Sequence, residues 1–189
     1  MQKLHLLPFT ERHFEMLSGW FRDPRELAQW GGTALAHPLD RTQLNHMLDE
    51  GGFSPPARLC WMAGDDAGNA VGHAQLAFDW RDGVARMCRV AIDPHKRGEG
   101  LAVPMLRAVM EKAFSHRQIE RVELNVYSWN KAAIRTYLRL GFVQEGIRRS
   151  SARVGSERWD TVMMGILRPE WLKTEEAGSS VSMGRVLPA

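Results

Sequence analysis

The stretch "RVAIDPHKRGEGLAVPMLRAVMEKAF", Arg89 to Phe114, changes period halfway along. Val90-Ala91-Ile92 reads as the end of a strand, Asp93-Pro94 stops it, and a basic, glycine-rich turn opens a helix. Leu101, Met105, Leu106, Val109, Met110 and Phe114 fall on one face of that helix. A turn delivering the chain onto a helix N-terminus gathers free backbone N–H groups at the positive end of a dipole. In Arg97-Gly98-Glu99-Gly100-Leu101-Ala102 the small residues allow an anion to approach the backbone, and Pro104 sits where a missing N–H costs little. A phosphate or pyrophosphate is the natural guest, although a mere tight connection would use the same residues. The loop lacks the Lys-Ser/Thr pair of a Walker-type loop and the third glycine of a dinucleotide fingerprint.

Working outward, Lys3 to Phe9 alternates as a first strand, and Thr10 can cap a helix over "ERHFEMLSGW" that ends near Gly19. Asp40 can cap a second helix, "RTQLNHMLDE", stopped by Gly51-Gly52. "RLCWMA", "AVGHAQLAFDW" and "VARMCRVAI" follow as three antiparallel strands, with hairpin signals at Gly68-Asn69 and Asp82-Gly83. After the Leu101 helix come a strand, "RVELNVYS", a short helix from Asn130 to Leu140 stopped by Gly141, and two strands joined near Gly155. This spacing predicts one domain over residues 1–172, and the aperiodic 173–189 segment reads as a disordered tail.

A chain of 189 residues, 44% hydrophobic and 25% charged, fits one ordinary domain with a real core. No apolar run approaches the roughly 20 residues of a membrane helix, and Pro8 and early charges interrupt the N-terminus, so the expectation is a cytoplasmic protein without a membrane partner. Cys60 and Cys88 sit in strand-like context and read as buried free thiols. The net charge of +3 is interspersed along the chain, which points away from nucleic acid, and the seven histidines show no metal-ligand spacing, so no metal is expected. A homodimer is left open.

Two motifs carry a resemblance. Arg97-x-x-Gly100-x-Ala102 is similar to the Q/R-x-x-G-x-G/A signature of the GNAT N-acetyltransferases, and Asn130, Ala133, Tyr137, Gly141 and Phe142 match that family's N-x-x-A-x-x-x-Y-x-x-x-G-F at the expected distance. The likeness covers residues 3 to 168. Glu145-Gly146, Arg148, Asp160 and Met164 resemble the branch of ribosomal-protein N-terminal and polyamine acetyltransferases. It implies an α+β fold with a mixed, mostly antiparallel sheet of about seven strands, splayed at the cofactor site and flanked by about four helices. It also implies acetyl-CoA as co-substrate, with pantetheine pairing to the backbone of Val90, Ala91 and Ile92, pyrophosphate held by Arg97, Gly98, Glu99, Gly100, Leu101, Ala102 and Val103, and Asn130 touching the cofactor arm. The acceptor would be a primary amine, on a small molecule or a peptide N-terminus.

In the implied reaction a neutral amine attacks the thioester, and a hydroxyl protonates the departing sulfur; Tyr137 is the candidate. Relatives often place a base where this chain has Met87 and Asn125, neither of which takes a proton at neutral pH. Asp79, a water held by Asn125, or an amine that arrives partly neutral are the substitutes considered. Cys88 as an acyl carrier has no visible histidine partner. Trp30, with Trp20 and Phe21, falls in the acceptor segment of the family, and Trp159 and Asp160 share that reading, although core residues look the same. Lys131, Arg135 and Arg139 form a basic stripe that reads as a solvated face, with Lys131 able to reach a phosphate. The rival function is an acyl-CoA sensor that kept the loop and lost the base. A nucleic-acid binder is the third reading, weakened by the lack of an aromatic platform.

Overall fold

A computed structural model describes residues 4–183. Seven strands, β1 (His5–Pro8), β2 (Arg58–Gly64), β3 (Ala70–Asp79), β4 (Val84–Ile92), β5 (Arg121–Tyr127), β6 (Val143–Val154) and β7 (Glu157–Leu167), form one sheet in the order β1-β2-β3-β4-β5-β7-β6. All neighbours are antiparallel except β4 and β5, which the helix α4 (Ala102–Ser115) joins as a parallel crossover. This is the mixed, mostly antiparallel α+β sheet expected from the motifs.

Period-2 alternation splits the core into two layers. Val122, Leu124 and Val126 of β5 face one side, where Met105, Leu106, Val109 and Met110 of α4 and Tyr137 of α5 (Lys131–Arg139) are buried with them. On the other side, Met62 of β2 joins Phe14 and Leu17 of α1 (Phe14–Ser18), Leu27 and Trp30 of α2 (Pro24–Gly31) and Leu44 and Met47 of α3 (Arg41–Asp49).

Six α-helices stand among the described residues where about four were expected. One addition is α2, which Asp23 caps by accepting from Glu26 N at 2.8 Å, with Pro24 in the first turn. The other is α6 (Arg168–Met183), which overturns the disordered-tail expectation through residue 183; residues 184–189 lie outside the described residues. Tertiary anchors hold this helix despite its weak amphipathic pattern. Trp171 is buried and stacks on Phe114 of α4 at 6.1 Å, Arg168 donates to the carbonyls of Phe114 and Ile119 at 2.9 Å, and Glu175 pairs with Arg107.

Candidate active site

β4 and β5 pair only from Val84 with Arg121 to Met87 with Leu124. Beyond Met87, β4 runs on to Ile92 with β3 on one side and no strand on the other. The cause lies within β4. Between Cys88 and Ala91 it holds one residue more than β3 opposite, a bulge in which Arg89 takes φ 50°. Such a bulge bends its strand and re-aims side chains, and an arginine in the left-handed region is strained enough to need support. Trp30 supplies some: its indole N–H donates to the Arg89 carbonyl at 2.7 Å.

A cavity of about 1000 Å³ opens from the split. Val90, Ala91, Ile92, Arg97, Gly98, Gly100, Leu101, Ala102, Asn130, Tyr137, Trp30 and Asn125 all line it, so the structure brings most of the sequence candidates together. Glu99 and Val103 fall outside the lining. Asp79 does too: it ends β3, and its carboxylate accepts the Asp82 N–H at 3.1 Å within the hairpin turn. Lys131 also stays outside, while Arg135 and Arg139 of the same stripe line the cavity.

The loop before α4 has the shape an anion needs. Gly98 and Gly100 adopt φ 87° and 78°, and nothing lies within 4 Å of where a Cβ would stand on either. Leu101 offers no side-chain cap to the first turn of α4. Lys96, Arg97, Arg135 and Arg139 add positive charge along the cavity wall. Asn130 accepts from Ala133 N at 3.2 Å, so it caps α5 as well as facing the cavity.

Tyr137 is 8% exposed, its ring edge-on to Phe142 at 5.8 Å, and among the described residues its hydroxyl has no hydrogen-bond partner. Burial, and then the neighbouring Cys88, push its pKa up, so the hydroxyl keeps its proton at neutral pH. Met87 is buried in the core layer, and Asn125 is exposed at the cavity. Burial also raises the Cys88 thiol, which receives an N–H from Arg58 at 3.2 Å, and pushes Cys60 up to about 12; neither is a ready nucleophile.

Beneath the bulge lies a polar cluster that the sequence did not announce. Gln75, fully buried, accepts from Arg58 Nη1 and from Arg89 Nη1, each at 3.1 Å, and its amide meets His73 Nε2 at 3.0 Å. Glu50 pairs with Arg58. His73 is buried and held neutral, its pKa lowered to about 3 by burial first and by Arg89 next. Among the described residues, no group of three or more His, Cys, Asp or Glu is arranged to hold a metal, and no helix is long and apolar enough to cross a membrane.

A sheet split beside a glycine loop at a helix N-terminus is the framework of an acyl-CoA-dependent transferase, and residues 14–142 match the acetyltransferase (GNAT) family. The chain belongs to the GNAT acetyltransferase family. The SPbeta prophage-derived uncharacterized N-acetyltransferase YokL of Bacillus subtilis is 28% identical over 112 residues, 59% of this chain; the chain spans 63% of that relative's length. The L-amino acid N-acetyltransferase AaaT of Escherichia coli is 24% identical over 130 residues, 68% of this chain and 76% of that protein. The fold is shared with a spermidine N-acetyltransferase from Vibrio cholerae, solved with CoA and spermine, at TM-score 0.77 and 18% identity, covering 90% of this chain and 98% of that one.

Proposed function

We propose that this protein transfers an acetyl group from acetyl-CoA directly to a primary amine. One observation carries the reading: the β4 edge from Cys88 to Ile92 stands unpaired at the split, facing a cavity that ends on the Gly98–Gly100 loop. An extended pantetheine arm fits that edge as an added strand, and the open glycine loop with its basic flank fits a pyrophosphate. Acetyl-CoA supplies the activated acyl group; the residues of the chain do the rest. Backbone N–H groups near Val90 and Ala91 are placed to stabilise negative charge at the reacting carbonyl, and Tyr137 holds the proton that the departing sulfur needs.

This reading uses no side-chain base at Met87 or Asn125, and an acceptor that arrives partly neutral requires none. The missing base is what favours the second reading, an acyl-CoA sensor without turnover. Incubating the protein with acetyl-CoA and a panel of amines, peptides included, while following free thiol, separates the two. Thiol release that depends on the amine supports transfer, and CoA binding without release under every amine supports the sensor. The free cysteines support the cytoplasmic setting that belongs to this proposal. Whether the chain pairs with itself is measured by the same preparation's mass in solution.

A further inference from the structure

The cavity presents two different surfaces, and two of the cations on the acceptor side have no carboxylate partner among the described residues. Lys96, Arg97, Arg135 and Arg139 border the loop and α5, where a cofactor's phosphates would neutralise them. The remaining cations lie along the sheet face away from α4: Arg58, Arg86, Arg89 and Arg148. Two of these are matched, Arg58 by Glu50 and Arg86 by Glu123 at 2.6 Å. Arg89 and Arg148 have no carboxylate within ion-pair distance among the described residues. Glu26, the one carboxylate lining the cavity among the described residues, is already taken by Arg22.

Arg89 is the unusual member. It is partly buried and strained at φ 50°, and its guanidinium meets only the neutral oxygen of Gln75, which also serves Arg58. A half-buried cation with no carboxylate in ion-pair contact is expensive to keep; burial and then Arg58 press its pKa downward, and Glu50, already paired with Arg58, offsets this only in part. His73 and Gln75 nevertheless hold it there, with Gln75 Nε2 on His73 and Gln75 Oε1 turned to the arginines. A guanidinium fork so fixed matches a planar carboxylate.

Resting on the transferase reading, we propose that the acceptor is a free amino acid whose carboxylate is held by Arg89, and that a polyamine is disfavoured. Arg89 belongs to the same bulge as Val90 and Ala91, where the acyl carbonyl would lie. An acceptor that carries its anion only a few bonds from its amine, as an amino acid does, is suited to engage both. A polycation would need free carboxylates, and among the described residues the acceptor wall offers none. The spermidine enzyme's likeness, at 18% identity, speaks to fold and not to this wall.

The test compares L-amino acids, their carboxamides and spermidine as acceptors by thiol release. In parallel, calorimetry measures the binding of the same amino acids to the CoA-loaded protein, where no reaction occurs. We expect at least one acid to exceed its own amide by 10-fold or more in kcat/KM, and spermidine to be poorer still. Arg89→Gln should collapse that acid-to-amide ratio to near one and abolish the calorimetric signal, while Arg89→Lys should restore part of both. Circular dichroism and retention of CoA binding establish that each variant is folded. If Arg89→Gln does not fold, the acid-to-amide ratio and the amino-acid calorimetry of the parent protein decide alone. Equal use of acid and amide, preference for spermidine, or an equal loss on all acceptors in Arg89→Gln overturns the carboxylate assignment while leaving the transferase intact. Amino acid binding without turnover of any amine overturns the transferase reading and keeps the carboxylate site; neither binding nor turnover overturns both.

Discussion

Replacing Tyr137 by phenylalanine keeps the ring against Phe142 and removes only the hydroxyl facing the cavity. If that hydroxyl protonates the departing sulfur, kcat falls by roughly 100-fold while CoA affinity holds. Turnover unchanged in Tyr137→Phe, with chemistry rate-limiting, would assign the proton to water instead. Gly100→Val addresses the loop: φ 78° is hard for a β-branched residue, and the new methyls fill the open space over the backbone. The parent protein should gain about 2.7 kcal/mol at CoA a hundredfold above its Kd, and Gly100→Val should lose the corresponding thermal shift. Residues of this kind were legible because glycine turns and helix starts are local. That Asp79 lies outside the cavity lining was not legible, because whether a strand end faces the cavity depends on where two distant strands separate. Arg89 carried no signal at all, since a bulge and a positive φ at arginine leave no mark in a single sequence.

At the scale of elements, α2 was in principle readable, because Asp23-Pro24-x-Glu26 spells a cap and a first-turn proline before Leu27. α6 was not. Its stability comes from Trp171 reaching Phe114 and from Arg168 tying back to the Phe114 and Ile119 carbonyls, contacts that no short window contains. We expect Trp171→Ala to cost about 3–5 kcal/mol, visible as a lower urea midpoint at unchanged slope. A change below 1 kcal/mol would mean that the helix rests on the sheet without supporting it. The strand meander was read correctly because each hairpin signal is adjacent to the strands it joins, and period-2 alternation marks which residues face the core.

For the whole molecule, the buried His73 links stability to acidity. Its folded pKa, about 3, lies below the ordinary unfolded value of about 6.5, so the unfolded chain binds the proton first. The stabilisation is fully present above 6.5 and is lost as pH falls from there toward 3. Between pH 7 and pH 5 the protein should lose about 2 kcal/mol from this site. Denaturant titrations at the two pH values measure the loss, and His73→Leu should flatten that part of the profile; an equal slope in the variant would place the effect elsewhere, His13 being the next group with a lowered pKa. The short β4–β5 contact has a consequence for colonial life in a crowded solution. Unpaired strand edges recruit other chains and seed aggregates, and this sheet carries such an edge in its middle, from Cys88 to Ile92. Residues of α2 and α5 line the cavity it faces, so the edge opens into a bounded cavity and not along a free sheet margin. The protein thereby keeps the adhesiveness of a raw β edge for its small partner and withholds it from its neighbours.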